Sequence, residues 1–281
     1  MCELLAMSAQ RPVEVGPWLE RLRPRGGLTG PHADGWGVAC YEGPAARVFK
    51  DAAPAAQSLL LQLLARHPLR TTAMIAHIRL ANPSIFGRET GNTHPFEREW
   101  GGRSWVFAHN GKLPGVHDAK RLRSSRFRPV GGTDSEVAFC CILDAIARRA
   151  GRKRPLCPAS VLDTIEPVAE ELAAYGEFNF ILSDGECLYV HAHTRLHALE
   201  RTGSSSDGAA KMTLLATAPL TGEPWQALAP RSLHVYRAGE LILGGRDRFP
   251  QDLAFASDEA LVAASRHTAR AATRTALRRA G

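Results

Sequence analysis

The stretch NFILSDGECLYVHAH, residues 179–193, decides the fold class of this 281-residue chain. Two apolar runs rich in branched and aromatic residues flank Ser183-Asp184-Gly185, a triplet typical of a tight turn. A turn this short joins antiparallel strands, because parallel strands need a crossover of about a dozen residues or more. The stretch therefore predicts a β-hairpin.

The same pattern of short apolar runs recurs along the chain and predicts further strands. They are CELLAMS (2–8), GWGVACY (35–41), AMIAHIR (73–79), SWVFAHN (104–110), MTLLATA (212–218) and SLHVYRA (232–238). Between them, helical periodicity covers 54–66, 134–149, 158–174 and 258–280. Blocks of helices between hairpin strands favour an α+β fold with antiparallel sheets over a doubly wound fold. The polar segment TGSSSDGAAK (202–211) is expected to be a mobile loop.

Composition narrows the class of protein. With 44% hydrophobic residues, the chain can bury one substantial domain or two small ones. No apolar run approaches the roughly 18 residues of a transmembrane helix. The N-terminus, MCELLAMSAQRPVEV, lacks the basic segment and long apolar core of a secretory signal. We expect a cytoplasmic protein without a membrane partner.

Part of the net charge of +7 arises from two basic clusters, within residues 120–128 and 266–279. Such clusters attract anionic partners such as nucleic acid, or they form solvated faces of an Arg-rich protein. No nucleic-acid-binding motif accompanies the charge, so we favour solvated faces and no nucleic-acid partner.

Cys2 differs from the other five cysteines in its position. Cys40, Cys140, Cys141, Cys157 and Cys187 are expected to be small buried hydrophobic residues. Removal of Met1 would give Cys2 a free α-amino group, whose ordinary pKa of about 7.7–8.0 leaves a useful neutral fraction at pH 7. A neutral amine can accept the thiol proton, so one residue supplies nucleophile and base. The alternative interpretation is that a cysteine stands after the initiator methionine by chance.

Three further positions carry polar or glycine residues at the boundary of an apolar segment, and each has a structural and a functional interpretation. Arg79 ends AHIR, where a guanidinium suits bidentate binding of a carboxylate or a surface ion pair. Asn110-Gly111, in FAHNG, is a dipeptide common in tight turns. In the functional interpretation, the Asn110 side-chain amide and the Gly111 N–H form an oxyanion hole. Asp134, in GGTDSE, stands at the predicted start of a helix. This segment either only caps the helix, or the Asp134 carboxylate binds the α-ammonium of an amino-acid substrate.

In order, Cys2 and the motifs HADGWG, AHIR, NTHP, HNG and TDSE resemble the class II glutamine amidotransferase domain, an N-terminal-nucleophile hydrolase. The segments MCELLAMSA, GPHADGWG, AHIRLAN, NTHPF, AHNGKL and GGTDSEVAFC look most like the stand-alone bacterial amidotransferases of the YafJ type. Order and spacing fit from residue 2 to about residue 140, and with the strands from 177 to 243 the resemblance extends over 2–250.

The resemblance implies a role for each matching residue. Cys2 attacks the γ-carbonyl of glutamine or of a γ-glutamyl amide, and Asn110 and Gly111 form the oxyanion hole. Arg79 binds the substrate α-carboxylate, and Asp134 binds its α-amino group. His94 lines the glutamine pocket, His77 and His109 are packing or hydrogen-bonding residues, and Asp34-Gly35-Trp36-Gly37 shapes a turn.

Two departures limit what carries over. Leu80-Ala81-Asn82-Pro83 follows the arginine where sugar-phosphate-aminating relatives have Trp-Ala-Thr, which puts gating by those residues in doubt. Residues 251–281, a predicted basic helix appended to the domain at 2–250, leave no room for a synthase active site.

We therefore predict a four-layer αββα sandwich of two antiparallel sheets between helices. The predicted reaction is hydrolysis of a γ-amide through a γ-glutamyl thioester, with no cofactor and no metal. Three alternatives stay open: a γ-glutamyl peptide or amine hydrolase, a subunit that feeds a synthase or peptidase partner, and a catalytically silent glutamine or γ-glutamyl binding module. The sequence does not distinguish ammonia from an amine or peptide as the leaving group.

Overall fold

The computed structural model describes residues 2–81, 88–119, 126–151, 156–205 and 208–244. Within these residues the helices are α1 (Gly16–Leu22), α2 (Leu59–Arg66), α3 (Asp134–Ala150) and α4 (Pro158–Ala173). The strands are β1 (Glu3–Glu14), β2 (Trp36–Glu42), β3 (Ala45–Asp51), β4 (Arg70–Ile78), β5 (Phe96–Glu99), β6 (Ser104–Lys112), β7 (Glu177–Ser183), β8 (Cys187–Ala192), β9 (His197–Ser205), β10 (Gly208–Ala216), β11 (Gln226–Ala227), β12 (Ser232–Arg237) and β13 (Glu240–Gly244).

The described strands form two sheets in which neighbours run antiparallel. One has the order β11-β9-β10-β1-β4-β2-β3 and the other β13-β12-β8-β7-β6-β5. The predicted hairpin is present as β7 and β8, with Ser183 opposite Leu188. Gly185 takes φ +92° in the turn, a conformation that glycine adopts readily.

Alternating side chains divide the apolar residues into three layers of core. Along β1, Leu4 and Ala6 point between the two sheets, whereas Leu5 and Met7 point outward beneath α1 and α2. On the far side, aromatic residues of β6 and β7 pack against α3 and α4. Helices therefore cover both outer faces, and the predicted αββα sandwich is confirmed.

Several local predictions need correction. The helix predicted at 54–66 begins at Leu59, because Ser58 is extended and its hydroxyl accepts from the Leu61 N–H; Pro54 precedes only a short 3-10 turn. The mobile loop predicted at 202–211 is wrong for 202–205 and 208–211, which belong to the paired strands β9 and β10.

The cysteine prediction holds with one exception. The cysteines are free, and Cys40, Cys140, Cys141 and Cys187 are buried. Cys157 is only partly buried, at the N-terminus of α4. In the part of the chain that is described, no helix is long and apolar enough to cross a membrane. The basic helix predicted at 258–280, the boundary at 250 and Asn82-Pro83 lie outside the described residues.

Candidate active site

Cys2 lies immediately before β1, beside the end of the neighbouring strand β4, where Glu3 is opposite Ile78. Its Sγ is 3.3 Å from the main-chain nitrogen of Leu80, which donates to it, and 3.6 Å from the Leu80 carbonyl oxygen. Burial raises the pKa of the Cys2 thiol, while the Leu80 main chain and the charge of Arg79 oppose that rise. The sulfur is thus held in a dry setting that favours the protonated thiol.

Arg79 follows β4 directly and is buried. Its main-chain nitrogen donates to the Gly35 carbonyl at 2.8 Å, and its guanidinium donates to the Asp34 carbonyl at 3.3 Å. The Asp34 carboxylate in turn accepts from the Ala81 N–H at 2.8 Å. The bend at Asp34-Gly35, predicted only as a turn before β2, therefore also fixes the segment that carries Arg79.

Asn110 and Gly111 lie inside β6, opposite Asn179 and Phe178 of β7. The alternative in which this pair forms a turn is therefore wrong. The Asn110 side-chain nitrogen donates to the Cys2 carbonyl oxygen at 2.5 Å, which joins the two sheets at the nucleophile. Gly111 has φ +153°, and a Cβ there would lie 1.8 Å from the Glu177 carbonyl oxygen, so its backbone position requires glycine.

Asp134 begins α3, and Thr133 caps that helix by accepting from the Glu136 N–H. The Asp134 carboxylate accepts from the Leu113 N–H at 2.7 Å and from the Ser135 N–H at 2.8 Å. It is half-buried just beyond the end of β6. Burial is the main cause of the raised pKa of the Cys2 thiol, and the negative charge of Asp134 raises that pKa further. Asp134 is therefore close enough to interact electrostatically with the Cys2 sulfur.

His94 and His77 form a buried ring pair with centroids 4.3 Å apart. None of their four ring nitrogens has a hydrogen-bond partner. Burial lowers the pKa of His77 to about 3 and that of His94 well below its usual value, so both rings are neutral at pH 7. The structure places His94 in this aromatic cluster and not in a hydrogen bond to Cys2 or Arg79.

His109 has the hydrogen-bonding role predicted for it. Its two ring nitrogens lie 2.8 Å from the Ser135 hydroxyl and 3.0 Å from the Glu177 carbonyl oxygen. His77 packs without such bonds.

The NTHP and GGTDSE segments also meet. The Asn92 side-chain oxygen accepts from the Gly132 N–H at 2.8 Å, so two residues 40 positions apart in the sequence join the two motifs.

Sequence reasoning missed Asn179, a fully buried residue of β7. Its side-chain nitrogen lies 3.3 Å from the Asn110 carbonyl oxygen, to which it donates. The available signal was a polar residue in the otherwise apolar run NFILS. Among the described residues, no group of three or more His, Cys, Asp or Glu side chains is placed to hold a metal ion.

Comparison with known proteins identifies the family. The model for "Glutamine amidotransferases class-II" matches residues 1–206. The chain belongs to the class II glutamine amidotransferases. A relative named "Putative glutamine amidotransferase YafJ", from Escherichia coli (strain K12), is 40% identical over 261 residues, covering 86% of this chain and 100% of the relative. A "Putative glutamine amidotransferase" of Haemophilus influenzae is 35% identical, covering 86% of each.

Solved structures of amidotransferases share the fold. A crystal structure titled "predicted glutamine amidotransferase from Pseudomonas aeruginosa PA01" aligns with a TM-score of 0.67 and 32% identity over 86% of this chain and 99% of that one. The glutamine phosphoribosylpyrophosphate amidotransferase of B. subtilis aligns with a TM-score of 0.63 over 89% of this chain and 50% of its own, at 16% identity. The sandwich is thus that of the N-terminal-nucleophile amidotransferases.

Proposed function

We propose that this class II amidotransferase hydrolyses the γ-amide of glutamine or of a γ-glutamyl amide through a thioester on Cys2. The observation that carries the proposal is the position of Cys2. Its sulfur lies against the Leu80 N–H, its carbonyl against the Asn110 amide, and the buried Arg79 adjoins Leu80.

The raised pKa of Cys2 calls for a base, because the buried thiol is protonated at pH 7. In the mature chain the α-amino group of Cys2 takes the thiol proton as sulfur attacks the γ-carbonyl carbon. The C–N bond then breaks, and the ammonium returns the proton to the leaving nitrogen. Water attacks the thioester, and glutamate and the free thiol are released.

Charge on the carbonyl oxygen rises during each attack. The Asn110 amide nitrogen carries two hydrogens, of which one is directed at the Cys2 carbonyl. We assign the second hydrogen, together with the Gly111 N–H, to the developing oxyanion. The pairing of β6 with β7 fixes the main chain that carries both donors.

Arg79 and Asp134 are assigned to the two charged groups of the glutamyl moiety. The guanidinium suits the α-carboxylate, because it offers a planar pair of donors. The Asp134 carboxylate suits the α-ammonium. We assign neutral His94 and its neighbour His77 to the wall of the glutamyl pocket, where their unpartnered ring nitrogens lie buried.

Glutamate release from purified protein tests this function. Glutamine and a set of γ-glutamyl amines and peptides are offered to the wild type, to Cys2→Ala and to a form that retains Met1. Wild type should release glutamate from at least one compound, and the other two forms should release none while keeping the wild-type thermal unfolding temperature. Full turnover by the form that retains Met1 would contradict the amine mechanism.

A further inference from the structure

A cavity of about 250 Å³ opens beside the nucleophile. Cys2 and Asn110 form one wall, and its other lining residues include Glu3, His32, Arg195 and Thr217. Arg79, Asp134 and His94, to which the proposed function assigns the glutamyl moiety, do not line it. The cavity is several times larger than the roughly 30 Å³ that a water-sized molecule such as ammonia occupies. It has room for the part of a substrate beyond the scissile C–N bond.

The charge of Glu3 is already neutralised within the protein. Its carboxylate lies 3.0 Å from the Arg25 guanidinium and 3.0 Å from the Thr217 hydroxyl, both of which donate to it. Arg25 is held further by the carbonyl oxygen of Ala218 at 3.2 Å. Glu3 therefore joins β1 to the end of β10, and we expect it to repel an anion in the cavity only weakly.

Arg195 brings a positive charge to the same cavity. Its Nε lies 4.0 Å from a Glu177 carboxylate oxygen, at the outer limit of an ion pair, and 45% of its side chain is exposed. Because Arg195 lines the cavity, its guanidinium offers a planar set of donors to a carboxylate that enters there.

The main chain at Arg195 is fixed by the buried Asn179. The Asn179 side-chain oxygen accepts from the N–H groups of His193, Thr194 and Arg195 at 2.9, 3.0 and 3.2 Å. Its nitrogen donates to the Asn110 carbonyl. One side chain thus ties the loop that carries Arg195 to the strand that carries Asn110, so the main chain from which the Arg195 side chain extends is fixed relative to Asn110.

We propose that this cavity binds the leaving group and that Arg195 recognises a carboxylate on it. The substrate class is then γ-glutamyl amino acids and short γ-glutamyl peptides, and water converts each to glutamate and a free amino acid or peptide. This inference rests on the proposed function, since it needs acyl transfer at Cys2.

The test compares two substrates, γ-glutamylglycine and γ-glutamylglycinamide. They differ only at the end of the glycine, which is a carboxylate in the first and a neutral amide in the second. Wild type should show a higher kcat/KM for γ-glutamylglycine. Arg195→Gln should lower the ratio of the two kcat/KM values by about 10- to 150-fold, the range for losing a hydrogen bond between charged groups. The control Arg47→Gln removes an exposed arginine of β3 that pairs with Glu42, and it should leave the ratio unchanged.

A wild-type ratio near one, or a ratio that Arg195→Gln does not change, would overturn the assignment of Arg195 even if glutamine is hydrolysed. Absence of glutamate release by wild type from glutamine and from every γ-glutamyl compound would instead overturn the proposed function, and this inference with it. Arg195→Lys, which keeps the charge but not the planar fork, should keep part of the ratio.

Discussion

The side-chain amide of Asn110 donates to the main-chain carbonyl oxygen of Cys2, with 2.5 Å between nitrogen and oxygen. This bond crosses from β6 of one sheet to the residue that precedes β1 of the other. It fixes the two groups to which the mechanism assigns attack and oxyanion stabilisation.

Replacement of Asn110 tests the oxyanion role. Asn110→Ala should lower kcat by about 10²–10³, the usual cost of losing one oxyanion donor, and Asn110→Asp by at least as much, because it sets a carboxylate against the developing charge. KM should change far less, since the oxyanion exists only near the transition state. Steady-state kinetics with thermal unfolding as control measure this; a stable Asn110→Asp protein with near-normal kcat would rule out the role.

Arg79→Lys keeps the positive charge but loses the planar donor pair. We expect kcat/KM for glutamine or a γ-glutamyl amide to fall by about 10- to 150-fold. Arg47→Lys is the matched control, because Arg47 is an exposed arginine of β3 that pairs with Glu42. Equal kcat/KM in Arg79→Lys and Arg47→Lys would remove Arg79 from substrate recognition.

Gly111→Ala should destabilise the sandwich. The new Cβ would lie 1.8 Å from the Glu177 carbonyl oxygen at φ +153°, so β6 and β7 must separate locally. The loss in free energy of unfolding should be at least about 1–3 kcal/mol, the usual cost of overpacking. Gly222→Ala, where a Cβ meets nothing within 4 Å, should change it little. Chemical denaturation of both variants checks the difference, and equal stabilities would show that the strand pairing is looser than described.

Buried histidines make stability depend on pH. Burial lowers the pKa of His77 to about 3 and that of His191 to about 4, and it also lowers those of His94 and His109. The unfolded chain takes up protons below about pH 6.5, whereas the folded rings do not, so stability present above that pH is lost as pH falls. Each such ring contributes up to about 1.4 kcal/mol per pH unit.

The free energy of unfolding should therefore fall less steeply between about pH 6 and pH 4 in His77→Leu than in wild type. The difference in slope should correspond to the uptake of up to one proton fewer on unfolding. Urea unfolding at several pH values measures the slopes of wild type and variant. A His77→Leu protein with the wild-type slope would mean that His77 is protonated in the fold.

The sequence predicted what local patterns encode. Ser183-Asp184-Gly185 identified the hairpin of β7 and β8, and the apolar run CELLAMS identified the strand β1. The segment at 202–211 was mistaken for a loop because its small polar residues favour turns, whereas pairing of β9 and β10 makes most of it strand.

Residues of the candidate site could be predicted from the sequence only where they belong to a motif of the family. Cys2, Arg79 and Asn110 were found through the family resemblance, and the structure brings them to one end of the sandwich. Arg195 and Asn179 escaped notice because their partners lie far away in sequence. Asn110, for example, is 69 positions from Asn179, and no local pattern predicts that contact.

Covalent labelling tests the central claim, that Cys2 is the nucleophile, most directly. A diazo-ketone analogue of glutamine is incubated with the protein, and the modified cysteine is located by mass spectrometry of its peptides. We predict stoichiometric modification of Cys2, prevented by excess substrate, with no label on Cys157, the other partly exposed cysteine. Label on Cys157, Cys40 or Cys187 with Cys2 unmodified would contradict the assignment.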